Sequence, residues 1–329
     1  MSEPLTTMRA ARAVFLDAAS LGDDLDLAPL AAVADRFVAH PGTASGEVVA
    51  RLGGANVAIC NKTPIDEAVL AALPQLELVL VTATGVNNVD LTAAALRGVC
   101  VCNCRDYGTA AVAQHTLMLL LALHTRFVAY RDRVRAGAWQ RADGFCLMDF
   151  PILELAGRRL GIVGRGAIGT EVARLARAFG MEVVFAQAPG RPARPDALPW
   201  REFLASVDVL SLHCPLTEAT RHLLDAEALA AMKPGAFVVN TARAGLVDAE
   251  ALLAALRSGR LGGAAQDGLD VEPPRAGHVL LDADLPQLII TPHNAWASHQ
   301  ARQRLLAQTA ENLVAWRRGE ALRSVLDSA

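Results

Sequence analysis

The sequence predicts two α/β domains, each wound around a parallel β-sheet. Three observations predict this. Short Val-, Ile- and Leu-rich runs alternate with helical stretches from end to end, the rhythm of strand–helix–strand units. The chain has 329 residues, more than one ordinary hydrophobic core serves. Its composition is 53% hydrophobic but only 5% aromatic, which favours helices on parallel strands over a β-sandwich.

The first series reads as strands at Ala13–Asp17, Val57–Cys60, Leu76–Thr82 and Val99–Asn103. Helical stretches at Asp66–Leu73 and Leu91–Arg97 lie between them. A long helical run follows, roughly Ala110–Arg135, ending in arginines. The second series has strands at Leu160–Val163, Val183–Ala186, Val207–His213, Phe237–Asn240 and Leu288–Thr291. Helices at Ile168–Phe179, Ala226–Met232 and Ala249–Arg257 separate these. The Pro- and Arg-rich piece Pro189–Pro199 reads as a surface loop, and Ser298–Arg318 as a final helix.

The formal net charge of −3 supplies no global basic field, so nucleic acid and anionic membranes are not expected partners. The apolar stretch Gly108–Leu123 is interrupted by Gln114 and His115 and is too short and polar to span a bilayer. No apolar segment follows the N-terminal charges, so a cytoplasmic protein is expected. Cys100, Cys102 and Cys104 alternate along one strand and share a face. Structural zinc sites favour wider Cys spacing, so these read as small buried hydrophobes and no metal is expected.

The most informative motif is Gly164-Arg165-Gly166-Ala167-Ile168-Gly169. It follows an apolar strand and opens a helix. Gly164 permits the tight turn, Gly166 lets a pyrophosphate approach the backbone, and Gly169 lets helix and sheet pack closely. The helix start offers unpaired N–H groups and partial positive charge to phosphates. This context identifies a Rossmann-like dinucleotide site. The next strand ends at Gln187, where an acidic residue usually accepts from the adenosine ribose. A neutral side chain does not repel a 2′-phosphate, and Arg191 and Arg194 follow. The cofactor is therefore NAD or NADP.

Three further segments end in charged or titratable groups: the strand before Arg243, the run Asp267–Glu272, and the strand before His293. Ligands in such folds sit at the carboxyl ends of strands. Reduction of a 2-oxo acid needs a cation to hold the carboxylate and polarise the carbonyl, which suits Arg243. It needs a proton donor, which suits His293, whose ordinary pKa is ~6.5. It needs a carboxylate that favours the imidazolium, which suits Glu272. Each residue alone also has an ordinary structural reading.

These pieces resemble the D-isomer-specific 2-hydroxyacid dehydrogenase family over nearly the whole chain. The matching stretches are 83–90, 163–169, 213–217, 240–245, Asp267 with Glu272-Pro273-Pro274, and Thr291-Pro292-His293. Within the family the loops most resemble glycerate dehydrogenase / hydroxypyruvate reductase. The resemblance implies Arg243, Glu272 and His293 as a catalytic trio. It implies substrate binding by Arg243, His293 and the backbone of Thr84, Gly85 and Val86. It implies dinucleotide contacts from Thr84, Gly164, Gly166, Ala167, Ile168, Gly169, Gln187, Cys214, Thr241, Ala242, Arg243, Asp267, His293, Ala295 and Trp296. Asp267 would hold the nicotinamide carboxamide.

It further implies two Rossmann-like parallel-sheet domains with an interdomain cleft. Residues 1–105 plus 297–329 would form a discontinuous substrate-binding domain, and 106–296 the dinucleotide-binding Rossmann domain. It implies a homodimer, with the helix Ala111–Leu123 and the arm around Trp139–Phe150 as interface pieces. Asn88, Phe150 and Trp296 are candidates to line the substrate pocket, with ordinary packing the alternative. Gln187, Gln266-Asp267-Gly268 and Ala244 depart from the family pattern. The expected activity is NAD(P)-dependent reduction of hydroxypyruvate or glyoxylate to D-glycerate or glycolate. A phosphoglycerate or D-lactate dehydrogenase, and a catalytically silent dinucleotide-sensing binding protein, are the alternatives.

Overall fold

The computed structural model describes residues 8–187, 194–320 and 322–326. The chain divides into two compact units, Met1–Gly108 with Ala297–Ala329, and Thr109–Trp296.

The first unit holds five strands: β1 (Arg12–Phe15), β2 (Arg36–Ala39), β3 (Val57–Cys60), β4 (Leu78–Val81) and β5 (Cys100–Cys102). They form one sheet in the order β2-β1-β3-β4-β5, and every pairing is parallel. β3 and β4 are buried on both faces, which explains their unbroken apolar sequences. Val14, Leu16, Ala58, Cys60, Val79 and Val81 meet the helices Val48–Leu52, Glu67–Ala72 and Leu91–Leu96 on one side. The opposite side meets His299–Arg317, which buries Leu305, Leu306, Leu313 and Trp316.

The second unit holds seven strands: β6 (Arg159–Val163), β7 (Glu182–Ala186), β8 (Ala197–Leu198), β9 (Val209–Leu212), β10 (Ala236–Asn240), β11 (Leu261–Asp267) and β12 (Leu288–Thr291). Their order is β12-β11-β10-β9-β6-β7-β8, again all parallel. From β6 the chain builds outward through β7 and β8, then returns to the other side of β6 for β9 to β12. That reversal creates a crevice at the carboxyl ends of β6 and β9, where such sheets bind ligands. Helices Thr109–His124 and Ala167–Ala178 cover one face, burying Leu117, Leu120, Val172 and Ala176. Helices Trp200–Ser206, Ala226–Ala231 and Ala249–Arg257 cover the other with Phe203, Leu229 and Leu252.

Several expectations need correction. The run Ala110–Arg135 is two helices, Thr109–His124 and Phe127–Arg135, bent by 62°. Arg126 sits in the left-handed region at φ 54, and its guanidinium donates to Gly262 O at 2.9 Å while lying 5.7 Å from the Phe237 ring. That attachment to the sheet ends the first helix. The apolar face of Thr109–His124 fills the core of its own unit, while Gln114 and Met118 on the same helix stay exposed. β2, β8 and β11 were not expected. β8 arises inside the stretch read as a loop, which otherwise falls partly outside the described residues. β11 begins Leu261-Gly262-Gly263, a poor strand signal by propensity. Its glycines exist because the Phe237 ring and Gly235 O occupy the space their Cβ atoms would take, at 3.1 Å from the ring at Gly263 and 2.4 Å from the oxygen at Gly262. Packing here overrides local preference.

The strand at Val99–Asn103 covers only Cys100–Cys102. Cys104 lies beyond it, its Sγ 3.5 Å from Thr309 Oγ1. No disulfide forms among the described residues. No single described helix is long and apolar enough to cross a membrane.

Candidate active site

The second unit gathers its functional groups by one device: parallel strands all end on the same edge. Gly164 follows β6, Gln187 follows β7, Cys214 follows β9, Arg243 follows β10, and His293 follows β12, while Asp267 closes β11.

The glycine turn fits a dinucleotide pyrophosphate. Gly164 has φ +103, and a Cβ there would lie 2.4 Å from His213 O, so the turn touches the strand across the crevice. A Cβ on Gly169 would meet Gly164 O at 2.1 Å, which fixes the close approach of helix to strand. Beside Gly166 the space is open for 4 Å. Gly166 starts the helix Ala167–Ala178 without a side-chain cap, leaving the first amides, those of Ala167 and Ile168 among them, facing that space. Cys214, against the turn, is a buried thiol whose pKa burial raises to about 11. It contributes shape rather than charge.

At the end of β7, Gln187 Oε1 accepts from Arg194 N at 3.0 Å. Arg165 lies over the Phe185 ring at 4.7 Å and pairs with Asp196. Arg191 lies outside the described residues.

The trio sits across β10 to β12. His293 Nδ1 lies 2.7 Å from Glu272 Oε2, and Leu269 N donates to Glu272 Oε1 at 2.8 Å. The carboxylate is thus held at one oxygen by backbone and spends the other on the imidazole. Because Nδ1 carries that bond, Nε2 is the ring atom left for a ligand, and among the described residues nothing occupies it. His293 itself is left-handed at φ 53, closed by its N–H donating to Thr291 O at 2.9 Å. Trp296 Nε1 donates to His293 O at 3.0 Å, gripping the same turn from the other side.

Gly268 explains one departure from the family pattern. A Cβ there, at φ +96, would meet Glu272 Oε1 at 2.4 Å and His293 Cβ at 3.3 Å. Gln266 explains another. This buried side chain accepts from Asn240 Nδ2 at 3.3 Å and donates to Gly268 O at 3.1 Å. Asn240 Nδ2 also donates to Arg243 O at 2.8 Å. Gln266 therefore ties the arginine-bearing turn to the glutamate-bearing turn. In the sequence its signal is an amide side chain set directly after Ala264 and Ala265 and before Asp267.

Arg243 is exposed, and its guanidinium donates to Ala242 O at 2.8 Å. Thr241 is buried, its hydroxyl 2.9 Å from that of Thr116. Asp267 is only 5% exposed. Its Oδ1 accepts from Thr291 Oγ1 at 2.6 Å and Asn294 N at 3.0 Å, and its Oδ2 from Ala295 N at 2.9 Å. Asp267 is thus an anchor for the His293–Trp296 segment.

In the first unit, Thr84, Gly85 and Val86 form the loop after β4. Asn103 Nδ2 donates to Thr84 O at 2.7 Å. Among the described residues no group accepts from the three amides. Asn88, half-buried, donates its amide to Thr63 O at 3.0 Å and so holds the loop. Phe150 packs edge-on against Tyr130, whose hydroxyl donates to Phe150 O at 2.7 Å, and lies beside Gly262 and Gln287 at the amino ends of β11 and β12, opposite the carboxyl edge. Among the described residues no group of three metal-ligating side chains occurs.

A Rossmann-like sheet with a phosphate turn and a Glu–His pair on one edge defines a nicotinamide-dinucleotide oxidoreductase. A family model described as "D-isomer specific 2-hydroxyacid dehydrogenase, NAD binding domain" matches residues 117–295. A glycerate dehydrogenase from Methylorubrum extorquens is 43% identical over 83% of this chain and 86% of its own length. A hydroxypyruvate reductase from Blautia hydrogenotrophica is 35% identical over 83% of this chain and 85% of its own. The solved TT0316 protein from Thermus thermophilus is 36% identical, with a TM-score of 0.84 over 95% of this chain and 99% of that one. The chain belongs to the D-isomer-specific 2-hydroxyacid dehydrogenase family. It is an oxidoreductase acting on 2-hydroxy acids with NAD or NADP.

Proposed function

We propose that this enzyme reduces hydroxypyruvate, and glyoxylate as the smaller substrate, to D-glycerate and glycolate. One observation carries the reading: the 2.7 Å Glu272–His293 pair stands with Nε2 open on the strand-end edge that also carries the glycine turn and Arg243. The bound reduced nicotinamide supplies the hydride. The protein's own residues do the rest. Arg243 is the cation for the substrate carboxylate and the polarised carbonyl. His293 Nε2 delivers a proton to the carbonyl oxygen, and Glu272, bonded at Nδ1, orients the ring so that Nε2 is the transferring atom. The amides of Thr84, Gly85 and Val86 are proposed as further carboxylate donors. The names of the relatives above favour hydroxypyruvate over branched oxo acids.

The unit 1–108 with 297–329 is proposed to bind substrate, and 109–296 to bind dinucleotide. A homodimer in the cytoplasm completes the proposal. Phe127, Trp139, Phe145, Met148 and Ile152 are large exposed apolar side chains, 54% to 91% open, and a second copy is proposed to cover them. The test is a rate panel of hydroxypyruvate, glyoxylate, pyruvate and phosphohydroxypyruvate with NADH and NADPH, followed by nicotinamide absorbance. Hydroxypyruvate should give the highest kcat/KM. A preference for pyruvate or the phosphorylated acid would overturn the substrate assignment.

A further inference from the structure

His115 has no part in the chemistry described so far, yet it touches the network that holds the active-site loop. It sits on the inner side of the helix Thr109–His124, and its side chain is 16% exposed. Its Nε2 lies 3.1 Å from Thr291 Oγ1 and 3.9 Å from Asp267 Oδ1. Thr291 is the last residue of β12 and the register partner of Asp267, the last residue of β11.

Proton positions follow from donor capacity. The carboxylate can only accept, so the Thr291 hydroxyl donates to Asp267 across 2.6 Å. The hydroxyl oxygen is then an acceptor, and His115 must carry its proton on Nε2. The chain of bonds runs from His115 Nε2–H to Thr291 Oγ1–H to Asp267 Oδ1. The amides of Asn294 and Ala295, beside His293, donate to the same carboxylate. Bonds linked in this way polarise one another in a buried setting. Loss of the His115 donor weakens the polarised Thr291 hydroxyl and frees it to turn from Asp267, and loss of that hydroxyl leaves the buried carboxylate under-compensated, so the segment it holds can shift.

We infer that His115 is a positioning residue for this enzyme: through Thr291 and Asp267 it sets the His293–Trp296 segment that faces the dinucleotide. The inference rests on the dinucleotide reading of this edge, and on no particular oxo acid. His115 acts by donating one hydrogen bond, to Thr291 Oγ1.

The test measures binding of NADH and NADPH alone by fluorescence titration, alongside kcat and KM. His115→Leu should weaken dinucleotide binding about tenfold, the scale of one lost hydrogen bond in a charged network. Thr291→Val should do the same. The double variant should be no worse than either single, because both break one chain. His115→Gln places an amide N–H near the same point and should bind within about threefold of wild type, whereas the shorter His115→Asn should not. A merely structural role would not restore binding selectively in Gln over Asn. If His115→Leu does not fold, the Gln and Asn pair decides the matter. Near-normal binding in His115→Leu, equal binding by Gln and Asn variants, or multiplied losses in the double variant would overturn the inference. A wild type that binds dinucleotide but reduces no oxo acid would sink the proposed function and leave this test intact.

Discussion

Glu272 grips His293 at Nδ1 across 2.7 Å and leaves Nε2 open, so the carboxylate decides both the tautomer and the direction of the imidazole. Replacing Glu272 by Gln keeps the size and one hydrogen bond but removes the charge. In Glu272→Gln, kcat for hydroxypyruvate reduction should fall on the order of 10²-fold with dinucleotide binding unchanged. Steady-state kinetics beside a dinucleotide titration separates the two. A kcat within a factor of two of wild type would remove Glu272 from the proposed mechanism.

Gly268 makes room for that pair. Gly268→Ala places a methyl group 2.4 Å from Glu272 Oε1 on a backbone at φ +96, which an alanine adopts only with strain. The variant should lose stability by roughly 1–3 kcal/mol. It should also lose activity beyond that, because Glu272 must move off Leu269 N. Thermal melting and kcat together report this, and an alanine variant with full activity would contradict the clash.

Cofactor choice turns on Gln187. Its neutral amide lacks the repulsion a carboxylate would direct at a 2′-phosphate. The wild type should use NADH and NADPH with kcat/KM values within about tenfold of each other. Gln187→Asp should shift that ratio toward NADH by at least about tenfold. An unchanged ratio would show that the end of β7 does not read the phosphate.

Acid stability should follow two histidines held neutral. Burial lowers the pKa of His124 to about 4 despite its bond to Leu120 O, and burial likewise lowers that of His213 to about 4. The ordinary value is ~6.5. Between these values the unfolded chain takes up protons that the folded chain refuses, so stability is full above about pH 6.5 and drains as pH falls toward 4. His124, 1% exposed, accounts for roughly 3 kcal/mol of that loss. His124→Gln should flatten the decline in melting temperature across this window. A decline equally steep in the variant would contradict the assignment.

Much of this was legible in the sequence, for identifiable reasons. Strands buried on both faces, such as β3 and β4, announce themselves as unbroken apolar runs, and the glycine turn has a fixed order set by backbone geometry. The trio is recognisable because Arg243 and His293 closely follow the ends of strands and Glu272 lies in the loop after a third. What stayed hidden was set by partners distant in the chain. The glycines of β11 make sense only beside Phe237, and the break at Arg126 only beside Gly262 and that same ring. Gln266, Thr291 and His115 look like ordinary polar residues until their bonds are seen. Asp267 gains a second role from its three internal donors, which no local spacing foretells.

The account stands most directly on His293 as the proton donor. The decisive comparison is kcat/KM for hydroxypyruvate in wild type and in His293→Asn, each checked for normal dinucleotide affinity. kcat/KM should fall on the order of 10³-fold in the variant. Retention of more than a tenth of the wild-type value, with the dinucleotide bound normally, would contradict it.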